Sequence, residues 1–188
     1  MRILGVTASS ILKVTSSYES IASATGTGTS ATITLSSIPA TYKHLQIRTN
    51  IRNLTTGTSF RTVLGILNGD TGTNYTRHGL VGDGSAVSNA GNASGSNTAF
   101  QILNAAADGS STANVMGVAI IDILDYASTS KYKTIRMFTG VDFNGSGRTA
   151  LVSSLWLSTS AINSITFEDP VGNGFTTSST FALYGIKG

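Results

Sequence analysis

The sequence predicts an all-β protein: an antiparallel two-sheet β-sandwich, jelly-roll-like, with an extended N-terminal arm. Three observations predict it. Composition is the first: 27 Thr, 26 Ser and 21 Gly in 188 residues favour strands, turns and sheet edges and leave few strong helix formers. Periodicity is the second, because short apolar segments, some in strict alternation with polar residues, are separated by turn signals at intervals of about 8 to 12 positions. Third, no segment carries a convincing helical period and no unit repeats at a fixed spacing, which argues against helical and α/β domains, propellers and solenoid shafts. A chain of this length makes one domain. Residues 1–30 are assigned to an N-terminal arm or edge strand, and 31–188 to a single β-sandwich domain with a long surface loop at 83–114.

The elements follow in order. Residues 1–30 are rich in Ser, Thr, Ala and Gly around isolated apolar residues such as Ile11, Leu12 and Tyr18, so they cannot build a core of their own. "ATITLSSIPATYKHLQIRTNIRN" reads as two strands joined at Pro39, since proline suits a connection and not a central strand. In the second of these, Leu45, Ile47, Thr49 and Ile51 alternate with His44, Gln46, Arg48, Asn50 and Arg52, one face buried and one wet. "RTVLGILNGD" is a strand that ends in Asn68-Gly69, the dipeptide that most readily takes positive φ in a tight turn. From Asp83 to Asn114 the chain is a polar excursion broken by the apolar island Phe100 to Leu103, which reads as a surface loop with one short strand. "VMGVAIIDILDY" is a mostly buried strand; "KYKTIRMFTGVDF", "ALVSSLWLS" and "INSITFED" follow. The terminal "STFALYGIK" places Phe181 and Leu183 on one face and Ala182, Tyr184 and Ile186 on the other, as an interior strand with both faces covered requires.

Charge restricts the function classes. Lys, Arg, Asp and Glu make up 11% of the chain, well under half the usual ~25%, and the net charge of +3 is a small imbalance in a sparsely charged protein. The densest basic run is "KYKTIR", with no basic face interleaved with aromatics, so no nucleic-acid partner is expected. Nor is a membrane: no stretch approaches the ~18 apolar residues of a membrane helix, and the N-terminal apolar run stops too early, at Val6, for a signal peptide. With no cysteine, neither disulfides nor thiolate chemistry is available.

Candidate chemistry is thin. No G-x-S-x-G or G-x-x-x-x-G-K-[ST] occurs, and the two histidines, His44 and His78, fall short of a zinc ligand set. Glu168 and Asp169 precede Pro170 in a turn-like setting that suits solvation. Asp122 and Asp125 lie within "AIIDILDY", where an ion pair or subunit contact is expected and not catalysis. The densest cluster is "LNGDTGTNYTRHGLVGD": oxygen ligands are present but lack calcium-loop spacing, so Asn68, Gly69, Asp70, Tyr75 and His78 are assigned to a turn and its support, with Asp70 accepting backbone N–H groups. No catalytic residue, cofactor or metal is expected.

Taken together, "SSIPATYKHLQIR", "LNGDTGTNYTRH", "IIDILDYASTSKYKTI" and "STFALYGIKG" resemble a group of small virion structural proteins of tailed bacteriophages, over most of the chain from Ile33 onward. The motifs are structural: an I-P-x-x-Y connection, an N-G-D turn, a D-Y strand ending and an aromatic-rich last strand. The resemblance implies a virion location and a β-sandwich that works by assembly, as a capsid cement or decoration protein or a tail component, and it carries over no catalytic residues. Its partners would be the major capsid protein or other virion subunits and further copies of itself, trimers favoured. Ile11, Leu12, Tyr18, His44, Arg48, Arg52 and Phe100 are the interface candidates. A tail-fibre or receptor-binding module contacting a host surface glycan is the alternative. Few exposed aromatics stand ready as a sugar platform, because Trp156 falls inside an apolar strand.

Overall fold

The computed structural model describes residues 16–188, with the backbone alone at 93 and 94. Twelve strands run in order: β1 Tyr18–Thr25, β2 Thr32–Leu35, β3 His44–Ile51, β4 Phe60–Leu67, β5 Tyr75–Gly82, β6 Val87–Asn97, β7 Phe100–Ala107, β8 Gly117–Leu124, β9 Lys133–Asp142, β10 Gly147–Trp156, β11 Ile165–Glu168 and β12 Thr180–Ile186. No helix occurs among the described residues. The strands pair antiparallel in two sheets, one of eight strands in the order β1-β12-β3-β8-β9-β10-β5-β6 and one of four, β2-β11-β4-β7. Setting aside the hairpins β5–β6 and β9–β10 leaves eight strands which, renumbered, pair as 1-8-3-6 and 2-7-4-5. That order is a jelly roll, so the fold is a jelly-roll sandwich whose larger sheet has been widened by the two inserted hairpins.

The alternation read in β3 is realised: Leu45, Ile47 and Ile51 are fully buried between the sheets. Phe167 of β11 meets Phe181 of β12 across the core with ring centroids 4.8 Å apart, and Phe175 packs edge-on against Phe181 at 5.3 Å. Such offset and edge contacts between buried rings add to what their burial alone contributes. β12 lies between β1 and β3, the interior position expected of the terminal strand.

Two expectations are corrected. The stretch 83–114 is not a long surface loop: it holds β6, β7 and the turns that join them to β5 and β8. β6 escapes detection because an edge strand with little to bury needs no apolar alternation, and its Ser, Asn, Gly and Ala residues look like a loop. β7 is a core strand, with Phe100, Ile102, Ala105, Ala106 and Ala107 at 0% exposure; the small alanines pack without the bulk that signals a strand. Second, "VMGVAIIDILDY" is buried on one face only. In β8, Ala119, Ile121 and Ile123 face the core, whereas Val118, Ile120 and Leu124 are exposed on the outside of the large sheet.

Candidate functional site

The acidic cluster at the β4–β5 connection is a structural joint. Asn68 and Gly69 take φ of 52° and 71°, the left-handed pair a type I′ turn requires, and the Asp70 N–H closes the turn on Leu67 O at 2.9 Å, carrying the chain from the small sheet to the large one. The Asp70 carboxylate accepts from Gly72 N–H at 2.9 Å, from the Asn74 amide at 3.0 and 3.1 Å, and from Trp156 Nε1–H at 2.7 Å. Burial disfavours its charge, but the hydrogen bonds from Trp156, Asn74 and Gly72 outweigh that and hold its pKa below the ordinary carboxylate value. Tyr75 stacks on Trp156 at 6.4 Å, accepts from Leu67 N–H and donates to Asp70 O, each at 3.1 Å. Asn68 ties the turn to the segment before β11: its side chain accepts from Asn163 N–H at 2.8 Å and donates to Ala161 O at 2.8 Å. His78 does not join this joint; its side chain is exposed on the outer face of β5. Among the described residues no group of three or more His, Asp or Glu side chains gathers to hold a metal ion.

Other aspartates organise turns in the same way. Asp108, fully buried, accepts from the N–H groups of Thr58, Ser59, Ser110 and Ser111 at 2.7 to 2.9 Å. Asp169 corrects the expectation of a solvated acid: it is 1% exposed and accepts from Thr55 Oγ1 and from Gly174 N–H at 2.9 and 3.0 Å. The sequence offered a local signal for Asp108, since "DGSS" is an Asx-turn pattern. Asp125 pairs with Lys131 at 2.7 Å and Lys43 at 3.1 Å, and those two ammonium groups lower its pKa to about 2. Asp83 is also lowered, by the N–H groups of Ser85 and Ala86 and by Arg148. Because Asp83 and Asp125 titrate lower folded than unfolded, their stabilisation is complete above the unfolded value of about 4 and is lost as pH falls through the folded values. The melting temperature is therefore expected to hold steady from pH 7 to pH 5 and to fall steeply below pH 4. A thermal melt at each pH checks this, and a flat profile down to pH 2 would contradict it.

The interface candidates divide. Ile11 and Leu12 lie outside the described residues. Tyr18 and Arg48 are neighbours on the outer face of the large sheet, with the Arg48 guanidinium 6.0 Å from the Tyr18 ring and 5.5 Å from the Tyr184 ring. His44 sits at the end of β3, where Nδ1 accepts from Asp125 N–H at 3.0 Å. Arg52 makes its contacts within the subunit, donating to the carbonyls of Ser111, Thr112 and Val115 at 2.9 to 3.0 Å, and so clamps the turn before β8. Phe100 is buried at 0%, so it faces the core and no neighbour. Sequence reasoning also missed Lys133, fully buried, whose ammonium donates to Lys131 O at 2.7 Å and Thr159 O at 3.2 Å.

What the structure brings together instead is a row on the outer face of the large sheet. Strand register aligns Arg48, Ile120, Phe138, Leu151 and Leu80 across β3, β8, β9, β10 and β5. The last four are open to solvent, at 43%, 54%, 59% and 54% exposure, and Val118 and Val87 flank them in the adjacent row. On the other side runs a polar row, Gln46, Asp122, Arg136, Ser153 and His78, in which Gln46 donates to Asp122 at 2.9 Å. Single exposed apolar residues are ordinary, but a contiguous band across four strands is a candidate interaction surface. Comparison with known proteins adds no relative: no family model, curated protein or solved structure matches the chain.

Proposed function

We propose that this protein is a structural subunit of a tailed-phage virion, a capsid cement or decoration protein that stabilises the shell through subunit contacts and performs no catalysis. The observation that supports it is the apolar band on the outer face of the large sheet, in a chain whose few acids are mostly committed to turns and ion pairs. A surface covered by hydroxyls rather than long charged side chains suits extensive contacts: ordering Ser and Thr loses less side-chain entropy than ordering Lys or Glu, and leaves fewer charges to be desolvated. The major capsid protein is the partner this reading names, with further copies of the chain beside it and the virion as its location. Mass spectrometry and gold labelling of purified particles test it. Many copies per particle, distributed over the shell, are expected. Absence from particles, labelling confined to the tail, or glycan binding by the isolated protein would overturn the reading.

A further inference from the structure

The outer face of the large sheet is shaped to fit itself. Along β9 the outward residues run Arg136, Phe138, Gly140, Asp142, so a bulky aromatic is followed by a glycine, and the cation at one end of the run is matched by an anion at the other. The same step occurs on β5, where outward Leu80 is followed by Gly82. The two glycines share one cross-strand row: Val118, Gly140, Thr149, Gly82 and Val87. Neither glycine is required by packing inside the subunit. A Cβ on Gly140 would come no nearer than 3.9 Å to another atom, and one on Gly82 no nearer than 3.6 Å. Neither residue has a positive φ. Glycine inside a strand weakens it, and its presence without a local reason marks close approach by something else. An open concavity of about 730 Å³ adjoins these two glycines, lined by Gly82, Gly140 and Thr149 on the sheet and by the turns around Gly84, Met116 and Gly145 beyond it.

We infer that two copies of this chain pair face to face through the outer surfaces of their large sheets, each inserting Phe138 and Leu80 over the glycines of the other. A two-fold axis in the plane of the contact, crossing the strands at the level of Thr139, stacks each central strand on its own counterpart, antiparallel. That single operation sets Phe138 over the second copy's Gly140 and Leu80 over its Gly82. It also sets Ile120 against Val118, Leu151 against Thr149, and Arg136 against Asp142. Each contact occurs twice, as isologous pairing requires. Arg136 is 71% exposed at its side chain and pairs with Asp122 of its own subunit at 3.4 Å, an exposed pair weak enough to be exchanged for the opposite carboxylate. Strand spacings of ~4.8 Å and rises of ~3.3 Å per residue give the eight-stranded face an area on the order of 1,000 Å², compared with the ~800 Å² per partner of a standard interface. The apolar band would form its dry centre and the Asp122–Arg136 row its polar rim.

The pairing deepens the assembly role proposed above and rests on that role only for its setting. Its test uses the isolated full-length chain, so a failure here is separate from a failure of the particle experiment. Analytical ultracentrifugation across a concentration series is expected to show a monomer–dimer equilibrium. Phe138→Glu should weaken it about 30-fold or more, as loss of a central anchor does. Gly140→Val should do the same while leaving the fold intact, since its side chain has room within the subunit and valine favours a strand. Arg136→Asp should weaken pairing, and adding Asp142→Arg to it should restore pairing, because the axis brings those two positions together. Circular dichroism spectra and melts confirm that each variant is folded. A monomer at all concentrations, a trimer, or a dimer that withstands both Phe138→Glu and Gly140→Val would overturn the inference.

Discussion

Replacing Asp70 with alanine lowers the stability of the fold by about 3 kcal/mol, the scale of losing hydrogen bonds to a charged acceptor and leaving a buried donor unsatisfied. In a domain of this size that corresponds to a fall in Tm of roughly 6 to 12 °C. The donor is the Trp156 indole: the residue is 2% exposed, and its N–H reaches the carboxylate at 2.7 Å. Gly72 and Asn74 lose their acceptor in the same step, so the β4–β5 turn loosens from the end of β10. Asp70→Asn keeps one carbonyl oxygen and the shape, and should lose less than half as much. The sign with pH follows from the lowered pKa of Asp70: the gap between wild type and Asp70→Ala is widest above about pH 4 and narrows as acid protonates the wild-type carboxyl. Trp156 fluorescence during thermal melts reports both quantities. A difference under about 1 kcal/mol, within the range of an ordinary surface substitution, would show that the carboxylate is not the tie between turn and core.

That tie also shows how far the sequence could be read. Asn68-Gly69 announced its turn locally, and the placement of Asp70 and Tyr75 as turn supports needed only the chemistry of neighbouring residues. Trp156 lies 86 residues further on, and nothing local joins it to Asp70. Strand alternation located β3 and most of the later strands because each has one face against the core. It could not locate β6, an edge strand with little to bury. It could not show which apolar run is left open either: "VMGVAIIDILDY" has the same letters whether its second face is covered or exposed. The candidate surface was therefore illegible one strand at a time. Ile120, Phe138, Leu151 and Leu80 become a band only when register aligns four strands that are scattered through the chain. The partners of Arg52 and Phe100 were hidden for a related reason. Arg52 had carbonyl acceptors about 60 residues away, and Phe100 had a glycine to cover.

That glycine carries the other large effect. Gly65 of β4 is directly opposite Phe100 of β7 in the small sheet, and both are buried. A Cβ on Gly65 would stand 2.0 Å from Phe100 Cζ and 2.4 Å from the ring's ε carbons, so the aromatic ring lies flat over the glycine backbone. The arrangement offsets what a glycine costs inside a strand, because the ring supplies the apolar contact that the missing side chain would have made. Gly65→Ala should therefore cost about 3 kcal/mol, at the upper end of overpacking penalties because the ring is enclosed on all sides, and Gly65→Val should prevent folding. Overpacking and not backbone strain is the cause, since Gly65 has no positive φ. Shortening the ring isolates the cause: Phe100→Leu alone loses packing and is mildly destabilising, but in the pair Gly65→Ala with Phe100→Leu part of the alanine penalty disappears. Chemical denaturation of the four proteins in the cycle should give a favourable coupling of at least about 1 kcal/mol, as expected for residues in direct contact. Strictly additive losses would mean that the alanine is harmful for a reason other than the ring above it.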